Sequence, residues 1–254
     1  MRSEPFPVQE MVFLHPVSFL FEMLYTGGGK GMAMIRSLSA KLREINEDLF
    51  QQLYEHPFVA GIRQGSLSKD QLIHYVQQDH LYLNAYIQLY AMAITKVSTR
   101  EDMTFFHQGI SYILNDEVQP HHVFCEAAGV SVDEIKSEAM ASATRNYRNH
   151  MFTTAQFGTV PELYAAMLPC PWTYEYIAKR IMSESPPAEN HPYYQWITFY
   201  AKEQKPSWVE IVCSKLDVLS ANSSEAEQLR VEEAFRVSCQ MEYQFWTMAY
   251  QLEA

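Results

Sequence analysis

The chain has 254 residues, 48% hydrophobic and 13% aromatic, enough to fill the core of one large domain or two small ones. Its 30 acidic against 19 basic side chains leave a net charge of −11, which argues against nucleic-acid or anionic-membrane partners, since phosphate binding needs clustered Lys and Arg. A neutral or cationic small molecule is compatible with that charge, and 9 glycines with few alternating Val/Thr runs point to helices rather than sheet.

The N-terminal stretch carries TGGGKG and little periodicity. Gly-Gly can be encoded as GGAGGT, a bacterial ribosome-binding sequence, just upstream of a second start at Met32 or Met34. Residues 1–34 are therefore read as an over-extended gene start or a disordered tail, and 35–254 as the domain. The most apolar run, MVFLHPVSFLFEML, is interrupted by His15, Pro16 and Glu22 and falls short of the ~18 apolar residues of a membrane span. Glu4 and Glu10 precede it where a secretory signal would carry basic residues.

From Ser39 onward, amphipathic helices follow one another with short breaks. AKLREINEDLFQQLYEH places Leu42, Ile45, Leu49, Phe50 and Leu53 on one stripe. HPFVAGIRQGSLS reads as a turn, with Ser68 as the N-cap of a long helix over 69–97. The segment 99–129 reads as another helix, bent at Pro120 and stopped by Gly129. Further helical patterns cover 132–140, 144–156, 161–182, 193–202, 207–221 and 225–252. With no repeat, low-complexity linker or internal boundary, the expected fold is all-α, a single-domain multi-helix bundle.

Three places in this pattern suggest chemistry. Asp79 shares a helix face with Tyr75, Tyr82 and Tyr86, at i−4, i+3 and i+7, so it is either satisfied in the core or lines a polar cavity. Glu242 lies among Met241, Tyr243, Phe245 and Trp246, where an uncompensated carboxylate would take up a proton. Cys170 stands between Pro169 and Pro171 in LYAAMLPCPWTYEY. Either the prolines kink a helix and turn the thiol into a cavity, or they occupy a first turn beside an ordinary buried cysteine. The other cysteines, Cys125, Cys213 and Cys239, form no C-x-x-C pair, so they read as buried hydrophobes of a protein kept in a reducing cytoplasm. Glu117, His121, His122 and His150 are the candidate metal ligands with the two acids; Glu117 and His121 stand at i,i+4, not at the i,i+3 of a Glu-x-x-His motif, with a proline between, and the pair has no second copy, so no metal is expected.

Six segments, HPFVAGIRQGSL (56–67), YVQQDHLYL (75–83), YRNHM (147–151), AAMLPCPWTYEYIAKR (165–180), YQWITFY (194–200) and MEYQFWTMAY (241–250), resemble the TenA/thiaminase II family in order and nearly throughout residues 40–250. The resemblance implies a haem-oxygenase-like helical fold without haem or other cofactor, and a homotetramer. It also implies hydrolysis of 4-amino-5-aminomethyl-2-methylpyrimidine, and more slowly thiamine, to the hydroxymethylpyrimidine used to rebuild thiamine. On it, Cys170 falls at the nucleophile of the cysteine-bearing branch, while Asp79 and Glu242 fall at the two acids. Tyr82, Tyr147, Tyr174 and Tyr200, with Phe245, fall at the substrate pocket. The stretch ASATRN before Tyr147 departs from the family in lacking a proline often found there and in carrying Arg145. Two rivals remain on the same fold: a non-catalytic pyrimidine-binding or regulatory protein, and a haem-oxygenase-like oxidoreductase.

Overall fold

The computed structural model describes residues 37–115, 118–135, 139–203 and 205–254. The tail expected over 1–34 and the candidate ligand Glu117 lie outside them. The described residues are helical, with no strand among them: α1 Leu38–Ile45, α2 Glu47–Glu55, α3 Pro57–Gln64, α4 Lys69–Ile94, α5 Arg100–Asn115, α6 Val118–Ala128, α7 Ser142–Phe157, α8 Val160–Met167, α9 Pro169–Glu184, α10 Tyr194–Ala201, α11 Trp208–Ser220 and α12 Glu225–Gln251. This is the all-α bundle expected.

Local chemistry sets most of the boundaries. Ser68, Thr159, Ser207 and Ser224 each bond the backbone N–H three residues on, while Gln71, Glu162, Glu210 and Glu227 reach back, making reciprocal capping boxes for α4, α8, α11 and α12. Gly129 stops α6 in the left-handed region at φ 68°, as expected.

Five expectations change. The segment after His56 is a helix rather than a turn. Pro57 takes the first helical position, His56 Nδ1 accepts from the Phe58 N–H at 3.1 Å, and Gly65 closes α3 at φ 66°. The helix read over 40–56 breaks at Asn46, whose side-chain Nδ2 donates to Leu42 O at 2.8 Å; Ile45 leaves the buried stripe and is 43% exposed. The break between α5 and α6 comes before Pro120, so that proline sits in the first turn of α6 instead of bending a longer helix. The stretch 132–140 gives only a short 3₁₀ turn, Val132–Glu134, among its described residues. The helix read over 161–182 is divided at Leu168 into α8 and α9.

α4 and α12 are the central pair of long helices. α4 packs on α5, α6 and α7, and α12 on α7, α8 and α9. α4 buries one broad face along its whole length, from Leu72 through Tyr75, Asp79, Tyr82 and Tyr86 to Ala93. That explains why polar and aromatic groups on it end up in the interior. No described helix is long and apolar enough to cross a membrane.

Candidate active site

Cys170 occupies the second position of α9, with Pro169 at the first. Both prolines thus lie in the first turn, where a missing N–H costs little because those donors have no partner inside the helix anyway. The ~3 kcal/mol or more of an interior proline is avoided. What the prolines do remove is a partner for the end of α8. Pro171 cannot bond Met167 O, and the Tyr86 hydroxyl donates to that carbonyl instead, at 2.7 Å. Cys170 remains partly exposed; Cys125 and Cys239 are buried as expected, whereas Cys213 is partly exposed as well.

Around it, α4, α7, α9, α10 and α12 bring the expected residues together. The Tyr147 hydroxyl donates to Glu242 Oε1 at 2.7 Å. Tyr82 packs on Tyr147 with ring centroids 5.0 Å apart and on Phe245 at 5.7 Å. Tyr174 shares a 2.8 Å hydrogen bond with Tyr75 and packs edge-on against Tyr200 at 5.0 Å. Asp79 Oδ2 accepts from His121 Nε2 at 2.7 Å, and both side chains are buried. Next to Asp79, the Gln78 amide oxygen accepts from Ala141 N at 2.9 Å and Thr144 Oγ1 at 3.0 Å. This fixes the start of α7, which has no side-chain N-cap of its own.

The electrostatics tie these groups into one site. Burial pushes the Glu242 carboxyl up to about 8; the Tyr147 hydrogen bond opposes this and the charge of Asp79 adds to it. Glu242 is therefore largely protonated near neutral pH. Burial also holds the phenols of Tyr82, Tyr86, Tyr147 and Tyr174 well above their ordinary value, and in all four the charge of Cys170 acts in the same direction. Asp79 and Glu242 add to the effect at Tyr174. Cys170 and Glu242 therefore both act on the same four protonated phenols, and Asp79 acts on Tyr174 and Glu242.

Two residues of this arrangement were read differently from the sequence. His121, weighed as a metal ligand, is instead the donor to Asp79. His150 bonds Ser238 and Ala234 O. No group of three or more His, Cys, Asp or Glu among the described residues is arranged to hold a metal ion. Tyr75 lay on the Asp79 face in the sequence, but nothing there joined its hydroxyl to Tyr174, 99 residues away. The Asp79–His121 pair had no signal beyond the presence of both residues.

The family model described as TENA/THI-4/PQQC matches residues 40–252. A protein of Halalkalibacterium halodurans called aminopyrimidine aminohydrolase is 33% identical over 215 residues, 84% of this chain and 96% of that protein. A Bacillus subtilis protein of the same name is 32% identical over 219 residues, 85% of this chain and 90% of that one. Among solved structures, a TenA homologue from P. horikoshii superposes with a TM-score of 0.74 at 23% identity, covering 85% of this chain and 99% of that one. At that identity the superposition speaks for the fold, which is haem-oxygenase-like as expected.

Proposed function

Because the chain belongs to the TENA/THI-4/PQQC family, we propose that it is an aminopyrimidine aminohydrolase of the thiaminase II type, acting on 4-amino-5-aminomethyl-2-methylpyrimidine and on thiamine as a poorer substrate. The observation that carries the reading is that partly exposed Cys170 at the start of α9 and Glu242, whose carboxyl burial keeps protonated, act on the same four phenols, Tyr82, Tyr86, Tyr147 and Tyr174. Relatives named for this activity at 32–33% identity over most of the chain support it.

The exocyclic C–N bond is inert while the pyrimidine is aromatic. Cys170 adds as thiolate to a ring carbon, forming an S–C bond, and a ring nitrogen takes up a proton. With aromaticity broken, the exocyclic C–N bond cleaves and ammonia departs, leaving an exocyclic alkene. Water adds to the methylene carbon, the S–C bond breaks, and the ring nitrogen gives back its proton as aromaticity returns. The net change is one water consumed, one ammonia released and a hydroxymethyl in place of the aminomethyl group.

Glu242 is assigned the proton transfers, since a carboxyl held near 8 can give and recover a proton around neutral pH. Tyr147 holds it in place through the 2.7 Å bond. Asp79, oriented by His121, is assigned the amino-pyrimidine edge and the positioning of the thiol. Tyr82, Tyr147, Tyr174, Tyr200 and Phe245 are assigned the faces of the flat ring. The reading needs no cofactor or metal. It extends to a homotetramer in a reducing cytoplasm, which four free cysteines support.

The test is ammonia release from the aminomethylpyrimidine by purified protein. Wild type should release ammonia in step with hydroxymethyl product, and Cys170→Ser should fold but lose nearly all turnover. A Cys170→Ser variant retaining more than about a tenth of kcat, a barrier change of less than ~1.4 kcal/mol, would move the nucleophile elsewhere. Wild type that binds the pyrimidine without turnover would favour the binding-protein rival. Turnover that needs an added metal or an electron donor would favour the oxidoreductase.

A further inference from the structure

One polar chain outside the aromatic cluster, half-buried at His150 and fully buried at Ser238, runs across three helices. His150 Nε2 on α7 lies 3.2 Å from Ala234 O and 3.0 Å from Ser238 Oγ, both on α12. A carbonyl only accepts, so Nε2 carries the proton. Burial lowers the basicity of His150, which suits the neutral ring. Ser238, fully buried, then accepts from His150 and donates its own hydrogen to Ala166 O on α8 at 2.8 Å.

The register of this chain is its significant feature. His150 is three residues after Tyr147, Ser238 four before Glu242, and Ala166 four before Cys170. Residues three or four apart stack on one helix face. The chain therefore runs one turn away from Tyr147 on α7 and from Glu242 on α12, alongside the Tyr147–Glu242 bond, and reaches α8 at Ala166, in its last turn before α9 opens with Pro169 and Cys170. At the α8 end it works beside Tyr86, which holds the neighbouring carbonyl of Met167 at 2.7 Å. Together the two donors grip the last turn of α8, where the chain turns into the helix that begins with Pro169 and Cys170.

We propose that His150 and Ser238 are positioning residues for the hydrolysis: the His150–Ser238–Ala166 chain sets the relative register of the helices that present Tyr147, Glu242 and Cys170. Neither side chain touches the reacting atoms. Their contribution lies in holding thiol, acid and phenol in the geometry that the addition and proton transfers require, where small displacements are costly. The proposal rests on the assignment of Cys170 and Glu242 made above.

Ser238→Ala removes the bridge while keeping nearly the same volume. It should lower kcat for the aminomethylpyrimidine about tenfold, ~1.4 kcal/mol of barrier, with KM within about twofold, the pattern of an interaction realised in the transition state. His150→Leu should behave alike, whereas His150→Gln, which keeps a side-chain N–H close to the Nε2 position, should recover kcat to within about threefold of wild type. The pH midpoint of the limb due to Glu242 should move in Ser238→Ala and His150→Leu and return in His150→Gln. A purely structural role would lower Tm and the folded fraction and leave these readouts, per folded molecule, at wild-type values. That result overturns the proposal, as does Gln performing no better than Leu. If Ser238→Ala does not fold, the His150 pair decides alone. Cys170→Ser assayed in parallel separates the two readings: full turnover in that variant removes the nucleophile assignment, while the positioning role still stands or falls on the Gln-over-Leu ordering and on the pH midpoint.

Discussion

Glu242 is the residue whose environment has the largest consequences. A carboxyl raised from its ordinary value to about 8 by burial is protonated in the folded protein over a range where the unfolded chain has lost the proton. The folded state binds more protons there, so stability falls as pH rises from about 4.5 to about 8 and levels off on either side. Glu242→Gln cannot ionise and should flatten that slope, which denaturant unfolding at a series of pH values would measure. In wild type, kcat/KM should decline above about 8 as the acid form is lost. The variant should show a kcat lower by about 10²–10⁴-fold, the usual range for a general acid, with KM little changed and no limb near 8. Asp79→Asn, by contrast, should raise KM and lower kcat together, because a group that grips the ring acts in ground and transition states alike. Equal effects under about tenfold from both variants, ~1.4 kcal/mol each, would remove this division of labour. The apolar neighbours of Glu242 announced a buried acid in the sequence. Its partner Tyr147 stands 95 residues away, and no local pattern could have joined the two.

Helix starts illustrate what a linear reading captures at the level of elements. Capping boxes span four residues, so Ser68 was identifiable as a cap. The start of α3 was missed because its cap is a histidine, which is outside the usual Ser, Thr, Asp and Asn set. The ring is fixed at both nitrogens: Nδ1 accepts from Phe58 N at 3.1 Å, and Nε2 donates to Thr247 Oγ1 on α12 at 3.0 Å. The Thr247 hydroxyl gives its own hydrogen to Tyr243 O. Protonating Nδ1 would abolish the cap, and burial accordingly lowers the His56 pKa from its ordinary value to about 4. Below about 6.5 the unfolded chain binds the extra proton and the folded protein does not. Stability from His56 is thus complete above about 6.5 and is lost as pH falls toward about 4. His56→Ala should cost ~0.5–2 kcal/mol at pH 7, the range for a lost cap, and should remove that part of the acid slope. His56→Asn should recover much of the loss at pH 7 without restoring the slope. An unchanged slope in His56→Ala would place the acid sensitivity in another group. The prolines around Cys170 follow the same logic. Residue type showed that the helix is interrupted, but whether it kinks or restarts depends on Leu168 and on Tyr86 accepting the role of donor to Met167.

At the scale of the whole molecule, the candidate site draws on helices spread between Tyr75 and Phe245, so periodicity could supply its proposed members one at a time but not their pairing. The Asp79–His121 and Tyr147–Glu242 bonds, 42 and 95 residues apart, exist only once α4, α6, α7 and α12 have packed. The same distinction bears on the N-terminal region. The family match begins at residue 40. Just ahead of it, Ser37 caps α1, while Ser39 N and Oγ both donate to the Asp217 carboxylate on α11, each at 2.7 Å. These contacts tie the first described helix to the opposite end of the chain, and they require residues from 37 onward. A variant beginning at Met32 keeps all of them. It should match the full-length chain in kcat within about twofold and in Tm within ~2 °C, as expected when the removed segment is a terminal tail. A variant beginning at Lys41 loses Ser37, Ser39 and the hold on Asp217. Charge-assisted bonds of this kind are worth ~1.5–3 kcal/mol each, so its Tm should fall by several degrees, at ~2–4 °C per kcal/mol for a chain of this size. Since α1 is anchored through Asp217 and Glu232, the loss should appear in Tm first and in kcat only as the folded fraction declines. Thermal unfolding and ammonia release on the three proteins side by side would check this. A Met32 start that loses as much as the Lys41 start would show that residues 1–31 belong to the folded unit, and the domain would then begin earlier than residue 35.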